Sequence, residues 1–145
     1  DLHTVRHSFP TRRSSDLIGA SAMILSNIEI GNTSDIDILT TVEGSDKLQT
    51  SLRRFMETTP KTKEDDLFRS NFARFNLPLM DIEVMGGLEI YKEGSWQPVC
   101  INDYRKISIG KTTLRIPTVK EQERLLTLFG RDKDRKRIEI LKKYL

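Results

Sequence analysis

The sequence predicts an α/β (α+β) domain in which a small mixed β-sheet is flanked by helices. Asp and Ile alternate with period 2 in a run that ends at Leu39, and a second apolar run with alternating acidic residues ends at Met85. Apolar residues recur at helical spacing before, between and after these two runs. The chain has no internal repeat and no linker long enough to divide it, so we expect one domain.

The charge of the chain is high and nearly balanced, with 24 Lys and Arg residues against 21 Asp and Glu residues. This balance indicates a solvated surface and gives no sign of a dedicated nucleic-acid groove. A single cysteine, Cys100, excludes an internal disulfide framework and favours a reducing, cytoplasmic setting. No apolar run approaches the length of a membrane span, so we expect no membrane partner.

The start of the chain resembles a DNA-sequencing library adapter translated in one frame. Residues 7–17 match a constant part of the adapter, residues 1–3 match an upstream constant part, and residues 4–6 stand where a variable index would lie. We therefore expect residues 1–17 to be a non-native, loosely attached segment, and residues 18–145 to form the single domain. The alternative is a basic, Ser-rich targeting or nucleic-acid-binding arm.

The histidines of the chain narrow the possible chemistry. His3 and His7 both lie in the adapter-like segment, so residues 18–145 contain no histidine. That distribution excludes a Ser-His-Asp triad, a Cys-His pair and a His-ligated metal site from the domain. Carboxylates, lysines, arginines and hydroxyls remain as the groups available for a reaction.

The first predicted elements surround the Asp-Ile alternation. Residues 18–26 are small at their start and apolar afterwards, which predicts the end of a strand or a turn, followed by a short helix. In the strand that follows, Ile36 and Ile38 share one face, while Asp35 and Asp37 share the other.

Further helices are predicted at residues 46–57, 118–129 and 131–145. Ser45 is a suitable N-cap for the first of these, and Thr118 with Glu121 forms a capping box at the start of the second. Gly130 is expected to end the second helix. The charged residues 61–66 predict an exposed loop or a frayed turn.

A second acidic strand is predicted at residues 77–85, where Asp81 and Glu83 share a face. A carboxylate within an apolar strand is costly unless it meets a cation or hydrogen-bond donors. Gly86-Gly87 is expected to end this strand. Two hairpins are predicted to follow, with turns at residues 93–95 and 110–111.

Two short stretches are candidates for a functional site. Asp35 and Asp37 point the same way, and hard cations such as Mg²⁺ prefer such carboxylate oxygens together with phosphate and water. The pair therefore suits a phosphoryl-transfer metal site, the alternative being two solvated aspartates at a strand end. Gly19, Ala20 and Ser21 are small enough for backbone N–H groups to approach a phosphate, the alternative being close packing of a helix on the sheet.

These features in sequence order resemble the polymerase-beta-type nucleotidyltransferase superfamily, and specifically its small bacterial minimal nucleotidyltransferase-like proteins. The resemblance rests on a Gly-Ala-Ser turn into a helix, Thr-Ser-Asp-Ile-Asp-Ile on a strand, and a carboxylate on a later strand. It covers most of residues 18–145, including a Gly-Arg-x-Lys-Asp sequence at the start of the last helix. It implies a nucleotidyltransferase-like fold and metal-dependent transfer of a nucleoside monophosphate from a nucleoside triphosphate to a hydroxyl.

The resemblance also implies roles for individual residues. Asp35 and Asp37 would bind two Mg²⁺ ions, for which Mn²⁺ could substitute. Asp81 would complete the metal site as the third catalytic carboxylate and act as the base, with Glu83 as the competing candidate. The implied nucleotide-binding residues are Gly19, Ala20, Ser21, Thr33 and Ser34.

The acceptor and the biological setting stay open at this stage. The hydroxyl could belong to a tRNA, a protein or a small molecule such as an aminoglycoside, and an antitoxin partner is common for proteins of this kind. The rival class is a non-catalytic module of the same fold that acts as a binding or toxin–antitoxin partner. Retention of three carboxylates favours the enzyme. Two departures favour the rival: Ala20 in the turn, and Gly31 where an Arg often precedes the paired aspartates.

Overall fold

The computed structural model describes residues 15–58 and 60–145. Its strands are β1 (Asp16–Ile18), β2 (Asp35–Thr40), β3 (Thr62–Glu64), β4 (Phe68–Asn76), β5 (Asp81–Lys92), β6 (Ser95–Pro98), β7 (Tyr104–Ile109) and β8 (Thr112–Pro117). Its helices are α1 (Gly19–Leu25), α2 (Val42–Ser51), α3 (Val119–Phe129) and α4 (Asp132–Leu141), with 3₁₀ turns at Arg53–Phe55 and Lys142–Tyr144.

The strands form one mixed sheet in the order β3-β4-β5-β2-β1-β8-β7, with β6 paired to the far end of β5. Strands β2 and β5 run parallel, as do β1 and β8, whereas the remaining pairs are antiparallel. The predicted class, a mixed sheet flanked by helices, is confirmed. Among the described residues, no helix is long and apolar enough to span a membrane.

The two faces of the sheet bury different cores, and this decides where the acidic residues lie. On one face, Ile38 packs with Phe75 in a cluster that α2 covers. On the opposite face, Leu39 packs with Leu125 of α3 in a second cluster. Because side chains two apart on a strand share a face, Asp37 lies on the side of Leu39, which is the side that α3 covers.

Strand β1 begins within residues 1–17, the segment that resembles a translated adapter. Asp16 pairs with Leu39 and Leu17 with Ile38, and the Oδ1 atom of Asp16 accepts a hydrogen bond from Arg115 Nε at 3.1 Å. Burial raises the pKa of Asp16, against the lowering effect of Arg115. These two residues are part of the sheet, so the expectation of loose attachment was wrong for them. The expectation for residues 1–14 lies outside the described residues.

Helix α2 begins earlier than the sequence predicted. Its N-cap is Thr41, whose Oγ1 atom accepts a hydrogen bond from the backbone N–H of Gly44 at 3.0 Å. The predicted cap, Ser45, is instead buried within the helix, where its hydroxyl donates to the Oδ1 atom of Asn71 at 3.0 Å. The predicted cap was wrong because a tertiary hydrogen bond to β4 uses the Ser45 hydroxyl.

Strand β5 continues through Gly86-Gly87, which the sequence predicted to end it. A Cβ atom on Gly86 would lie 2.6 Å from the Cβ atom of Ser45, so glycine here lets α2 approach the sheet closely. The short edge strand β3 also replaces part of the exposed loop predicted at residues 61–66. Both hairpins formed by β5 to β8 are confirmed.

The predicted capping box at the start of α3 forms only in half. The Oγ1 atom of Thr118 accepts a hydrogen bond from the Glu121 backbone N–H at 3.2 Å. The Glu121 carboxylate instead accepts from the backbone N–H groups of Asn102 and Asp103, and it pairs with Arg124. The end of α3 at Gly130 is confirmed by the left-handed backbone of that residue.

Candidate active site

The parallel pairing of β2 and β5 brings four carboxylates together. In the register of the two strands, Asp35 lies beside Asp81 and Asp37 lies beside Glu83. Alternation along each strand puts all four side chains on the face that carries Leu39. The strand pairing therefore places the two acidic runs side by side.

Arg74 of β4 bridges three of these carboxylates and a fourth from outside the two strands. Its Nη2 atom lies 2.8 Å from Asp81 Oδ2 and 3.3 Å from Asp35 Oδ1, and its Nη1 atom lies 3.0 Å from Glu83 Oε2. Its Nε atom lies 2.9 Å from Glu57 Oε2. All three guanidinium nitrogens thus contact carboxylate oxygens. The side chain is 27% exposed, so water screens these contacts only in part.

Asp37 stands apart from this arrangement. Among the described residues, none donates a hydrogen bond to its carboxylate. Burial first, and then the charges of Glu83 and Asp35, raise the pKa of Asp37 to about 6, while Lys133 and Arg137 pull it down. A carboxylate in this setting is stabilised by an added positive charge.

The Gly-Ala-Ser turn meets Asp37 directly. Gly19 has a φ of +67°, and a Cβ atom on it would lie 2.9 Å from Asp37 Oδ2. Ala20 and Ser21 are buried, and the Ser21 hydroxyl donates to the Ile18 carbonyl at 3.1 Å. Of the three predicted turn residues, the structure places Gly19 against the carboxylates and packs the other two side chains inside the fold.

The other two predicted nucleotide-binding residues lie just before β2. The Thr33 hydroxyl is engaged with the backbone of Asp35, donating to its carbonyl at 3.1 Å and accepting from its N–H at 3.3 Å. Ser34 is exposed, and its carbonyl accepts a hydrogen bond from the Asp81 N–H at 3.0 Å. Both residues shape the start of the β2–β5 pair, and neither lines the cavity described next.

A cavity of about 250 Å³ lies between the acidic face of the sheet and helices α3 and α4. Gly19, Asp37 and Glu83 line it, whereas Asp35 and Asp81 do not. Its apolar lining includes Phe68, Phe72, Met85, Leu88, Leu125 and Phe129. Its basic lining consists of Lys63, Arg131, Lys133 and Arg137. The cavity thus combines apolar surface with groups of both charges.

The four basic groups are not equivalent. Lys63 stands over the ring of Phe72 at 4.4 Å, and Arg131 pairs with the buried Asp134 at 2.6 Å. The remaining two lie one turn apart on α4, and their charges act on Asp37. Helix α4 therefore presents positive charge to the carboxylate that lacks a donor.

The inner lining of the cavity also contains a buried amide. Gln122 is 4% exposed, and its Nε2 atom donates to Ser26 Oγ at 3.0 Å and to the Pro117 carbonyl at 2.9 Å. Its Oε1 atom has no hydrogen-bond donor among the described residues. Such a buried, unpaired acceptor is costly unless a donor reaches it.

Sequence reasoning missed several of these groups. Lys133 and Arg137 share a helical face by their spacing of four, and the Gly-Arg-x-Lys-Asp sequence contains the first of them, so a signal was present. Arg74 gave no such signal, because its role depends on β4 pairing with β5, which puts it opposite Glu83. The same holds for Gln122, whose amide is held by residues distant in the chain.

The donor set suits a hard divalent cation, because all four strand carboxylates offer oxygen and Asp37 has no donor of its own. Within the described ranges, however, no three Asp, Glu, His or Cys side chains converge closely enough to form a metal site as they stand. Arg74 contacts oxygens of Asp35, Asp81 and Glu83, so a protein cation already lies among these three carboxylates. The chemistry of the residues fits a metal ion, and Asp37 with Glu83 is the pair that faces the cavity.

Comparison with known proteins defines the class of fold. No family model and no curated protein matches the chain. A crystal structure from Thermotoga maritima, of TM1012, a "putative nucleotidyltransferase", matches with a TM-score of 0.73 at 19% identity, over 99% of this chain and 91% of that one. The lincomycin-bound lincosamide antibiotic adenylyltransferase LnuA matches with a TM-score of 0.54 at 14% identity, over 97% and 94% of the two chains. The chain therefore has a nucleotidyltransferase-type fold.

Proposed function

We propose that this protein is a metal-dependent nucleotidyltransferase that moves a nucleoside monophosphate from a nucleoside triphosphate to a hydroxyl acceptor. One observation carries the proposal: Asp37 and Glu83 lie side by side on the lining of a cavity that also contains Gly19 and the basic face of α4. The fold shared with known nucleotidyltransferases supports it.

The charges around the cavity support a place for the triphosphate. Lys133 and Arg137 supply positive charge next to Asp37, and Gly19 brings the start of α1 against the same carboxylate. The apolar side chains on the rest of the lining suit a nucleobase, and the volume of about 250 Å³ admits a group of nucleoside size. We place the phosphates near Asp37 and the base against the apolar lining.

The transfer is an in-line displacement. The acceptor oxygen forms a bond to the α-phosphorus, the bond from that phosphorus to the bridging oxygen breaks, and pyrophosphate leaves with its electron pair. The acceptor proton passes to a carboxylate base. When bound, a Mg²⁺ or Mn²⁺ ion would be held by Asp37 and Glu83, with Asp35 and Asp81 as neighbouring carboxylates, and would supply charge neutralisation at the phosphates.

The position of Asp81 bears on the identity of the base. Its Oδ2 atom contacts Arg74 at 2.8 Å, and its Oδ1 atom lies 3.0 Å from the Asn76 amide nitrogen once that amide is turned to donate. These donors engage both oxygens of Asp81, so fewer of its lone pairs are directed at an acceptor hydroxyl. Glu83 lines the cavity and is the candidate that the geometry favours, with Asp81 as the alternative.

We propose three classes of acceptor, namely a tRNA, a protein and a small molecule. The lincosamide adenylyltransferase, lincomycin-bound in its crystal structure, makes antibiotics with free hydroxyls the first small molecules to test. We place the protein in the cytoplasm, where nucleoside triphosphates and Mg²⁺ are available. An antitoxin partner is a further proposal.

One observation favours the rival function of a non-catalytic module. Arg74 already contacts three of the strand carboxylates and offsets part of their negative charge without a metal. In that case the protein would bind a partner and transfer nothing.

A transfer assay decides between the two functions. The protein is incubated with each of the four nucleoside triphosphates labelled at the α-phosphate, with Mg²⁺ or Mn²⁺, and with tRNA, total protein or hydroxylated antibiotics. We expect label in one acceptor class, dependent on metal and lost in Asp37→Asn. Calorimetry with a nucleotide analogue that cannot release pyrophosphate tests binding separately. Absence of metal-dependent binding in the parent protein would contradict the proposal.

A further inference from the structure

We propose that Arg74 is a positioning residue that acts as a built-in cation for the carboxylate group. Its single positive charge offsets part of the negative charge on the Asp35–Asp81 side, so that one added divalent ion binds on the Asp37–Glu83 side. The resemblance to the nucleotidyltransferase superfamily implies two ions, so the expected stoichiometry differs. The inference rests on the proposed function for its metal, and its test does not depend on transfer.

The contacts of Arg74 show how far its charge reaches. Its three guanidinium nitrogens contact four carboxylates at 2.8–3.3 Å: Asp35, Glu57, Asp81 and Glu83. The strand register fixes this arrangement, because Arg74 pairs with Glu83 and Asn76 pairs with Asp81 across β4 and β5. A planar guanidinium presents its donors in a fixed fork, so one side chain can hold several carboxylates in position at once.

Asp37 is the carboxylate of the group that Arg74 does not contact. Its neighbours of opposite charge are Lys133 and Arg137, which approach from α4 on the other side. Glu83 is shared, because its Oε2 atom contacts Arg74 while its side chain also lines the cavity with Asp37. The acidic group therefore has one side occupied by protein charge and one side that faces the cavity.

Loss of the guanidinium should expose a repulsion that a metal ion can relieve. Without Arg74, the carboxylates of Asp35, Asp81 and Glu83 would lie close together with no cation between them. Like charges at such separations destabilise the folded state. A divalent cation supplied in solution could then occupy the vacated position and restore stability. If Arg74 contributed only packing, a cation would not restore the stability lost with its side chain.

The experiment compares Arg74→Gln with Arg69→Gln. Arg69 lies on the same strand and its Nε atom bonds to Glu89 at 2.8 Å, so its variant loses an ion pair outside the acidic group. Thermal unfolding is measured in EDTA and with added Mg²⁺ or Mn²⁺, without nucleotide. We expect Arg74→Gln to lose several degrees of Tm in EDTA and to regain most of that loss with metal. Arg69→Gln should show no metal-dependent recovery.

Counting bound Mn²⁺ by electron paramagnetic resonance provides the second measurement. We expect one ion on the wild-type protein and two on Arg74→Gln. Two ions or none on the wild type, or equal counts on both proteins, would overturn the inference. If Arg74→Gln does not fold, Arg74→Lys retains one charge with a single contact point, and its Tm should still rise more with metal than that of the wild type. One bound ion without transfer to any acceptor would reject the proposed function and leave this inference standing.

Discussion

The Oδ2 atom of Asp37 lies 2.9 Å from the point at which a Cβ atom on Gly19 would stand. The first residue of α1 and the second carboxylate of β2 are thus fitted against each other, with no room for a side chain between them. Gly19 also has a φ of +67°, a conformation that L-residues other than glycine rarely adopt.

Gly19→Ala should destabilise the fold and weaken nucleotide binding together. We expect a loss of about 1–3 kcal/mol in the free energy of unfolding. An alanine at this φ is strained, and its Cβ atom would clash with the Asp37 carboxylate, so both effects destabilise the folded state. The control is Gly110→Ala, since Gly110 has a similar φ of +61° but nothing within 4 Å of its Cβ position. Chemical denaturation measures both variants. Equal losses would show that the contact with Asp37 has no energetic weight.

The ionisation of Asp37 should make metal-free stability depend on pH. Its pKa is raised from 3.8 to about 6, so folding favours the neutral form. The stabilising contribution of this proton is complete below about pH 4 and is lost as the pH rises through about 6. Asp37→Asn should therefore raise the free energy of unfolding above pH 6 by about 1–3 kcal/mol in EDTA. It should also flatten the profile between pH 4 and 6, measured by urea denaturation. A variant less stable than the parent at pH 7.5 would contradict this.

Glu83→Gln and Asp81→Asn separate the two candidates for the third carboxylate. Glu83 lines the cavity, whereas Asp81 does not line it and its Oδ2 atom contacts Arg74 at 2.8 Å. We expect Glu83→Gln to lower kcat/KM by at least about 100-fold, as for loss of a catalytic base, and Asp81→Asn to lower it less than about tenfold. Urea denaturation of both variants checks that they are folded. The reverse order of the two losses would identify Asp81 as the base.

Lys133→Gln should weaken triphosphate binding, because the Lys133 charge acts on Asp37 and its side chain lines the cavity. We expect Kd to rise about tenfold, equivalent to about 1.4 kcal/mol, and the salt dependence of binding to decrease. Lys136→Gln is the matched control, since Lys136 is exposed on the same helix and does not line the cavity. Calorimetry at two salt concentrations measures both. If Lys133→Gln binds the triphosphate as tightly as Lys136→Gln does, Lys133 of α4 does not contact the phosphates.

The fold class and the acidic strand β2 could be predicted from the sequence, because period-2 alternation of Asp and Ile is a local property. The hairpins were predictable for the same reason, since their glycine turns lie between adjacent strands. The start of α2 was not, because Thr41 and Ser45 are both good caps and the choice depends on Asn71 of β4. Continuation of β5 through its two glycines likewise depends on the close approach of α2.

The candidate site was predictable only in part, for a similar physical reason. Asp37 and Gly19 belong to short motifs whose residue types already indicate phosphate and metal chemistry. Arg74 and Gln122 acquire their positions from strand pairing and helix packing between distant segments, which residue spacing does not reveal. Which carboxylates Arg74 contacts, and that Asp37 is not among them, also depends on the register of strands β2, β4 and β5.

The parallel pairing of β2 with β5 has a consequence for how the protein folds. The hairpins of β4 to β8 join segments close in sequence, whereas β2–β5 joins residue 35 to residue 81, and β1–β8 joins residue 16 to residue 115. Closing such long loops is entropically costly, so these pairings are expected to form after the hairpins. A partly folded chain with only its hairpins would hold Arg74 near Glu83 but would lack Asp35 and Asp37. On the proposed function, nucleotide and metal would bind only after the final, long-range step of folding, and their binding would report that folding is complete.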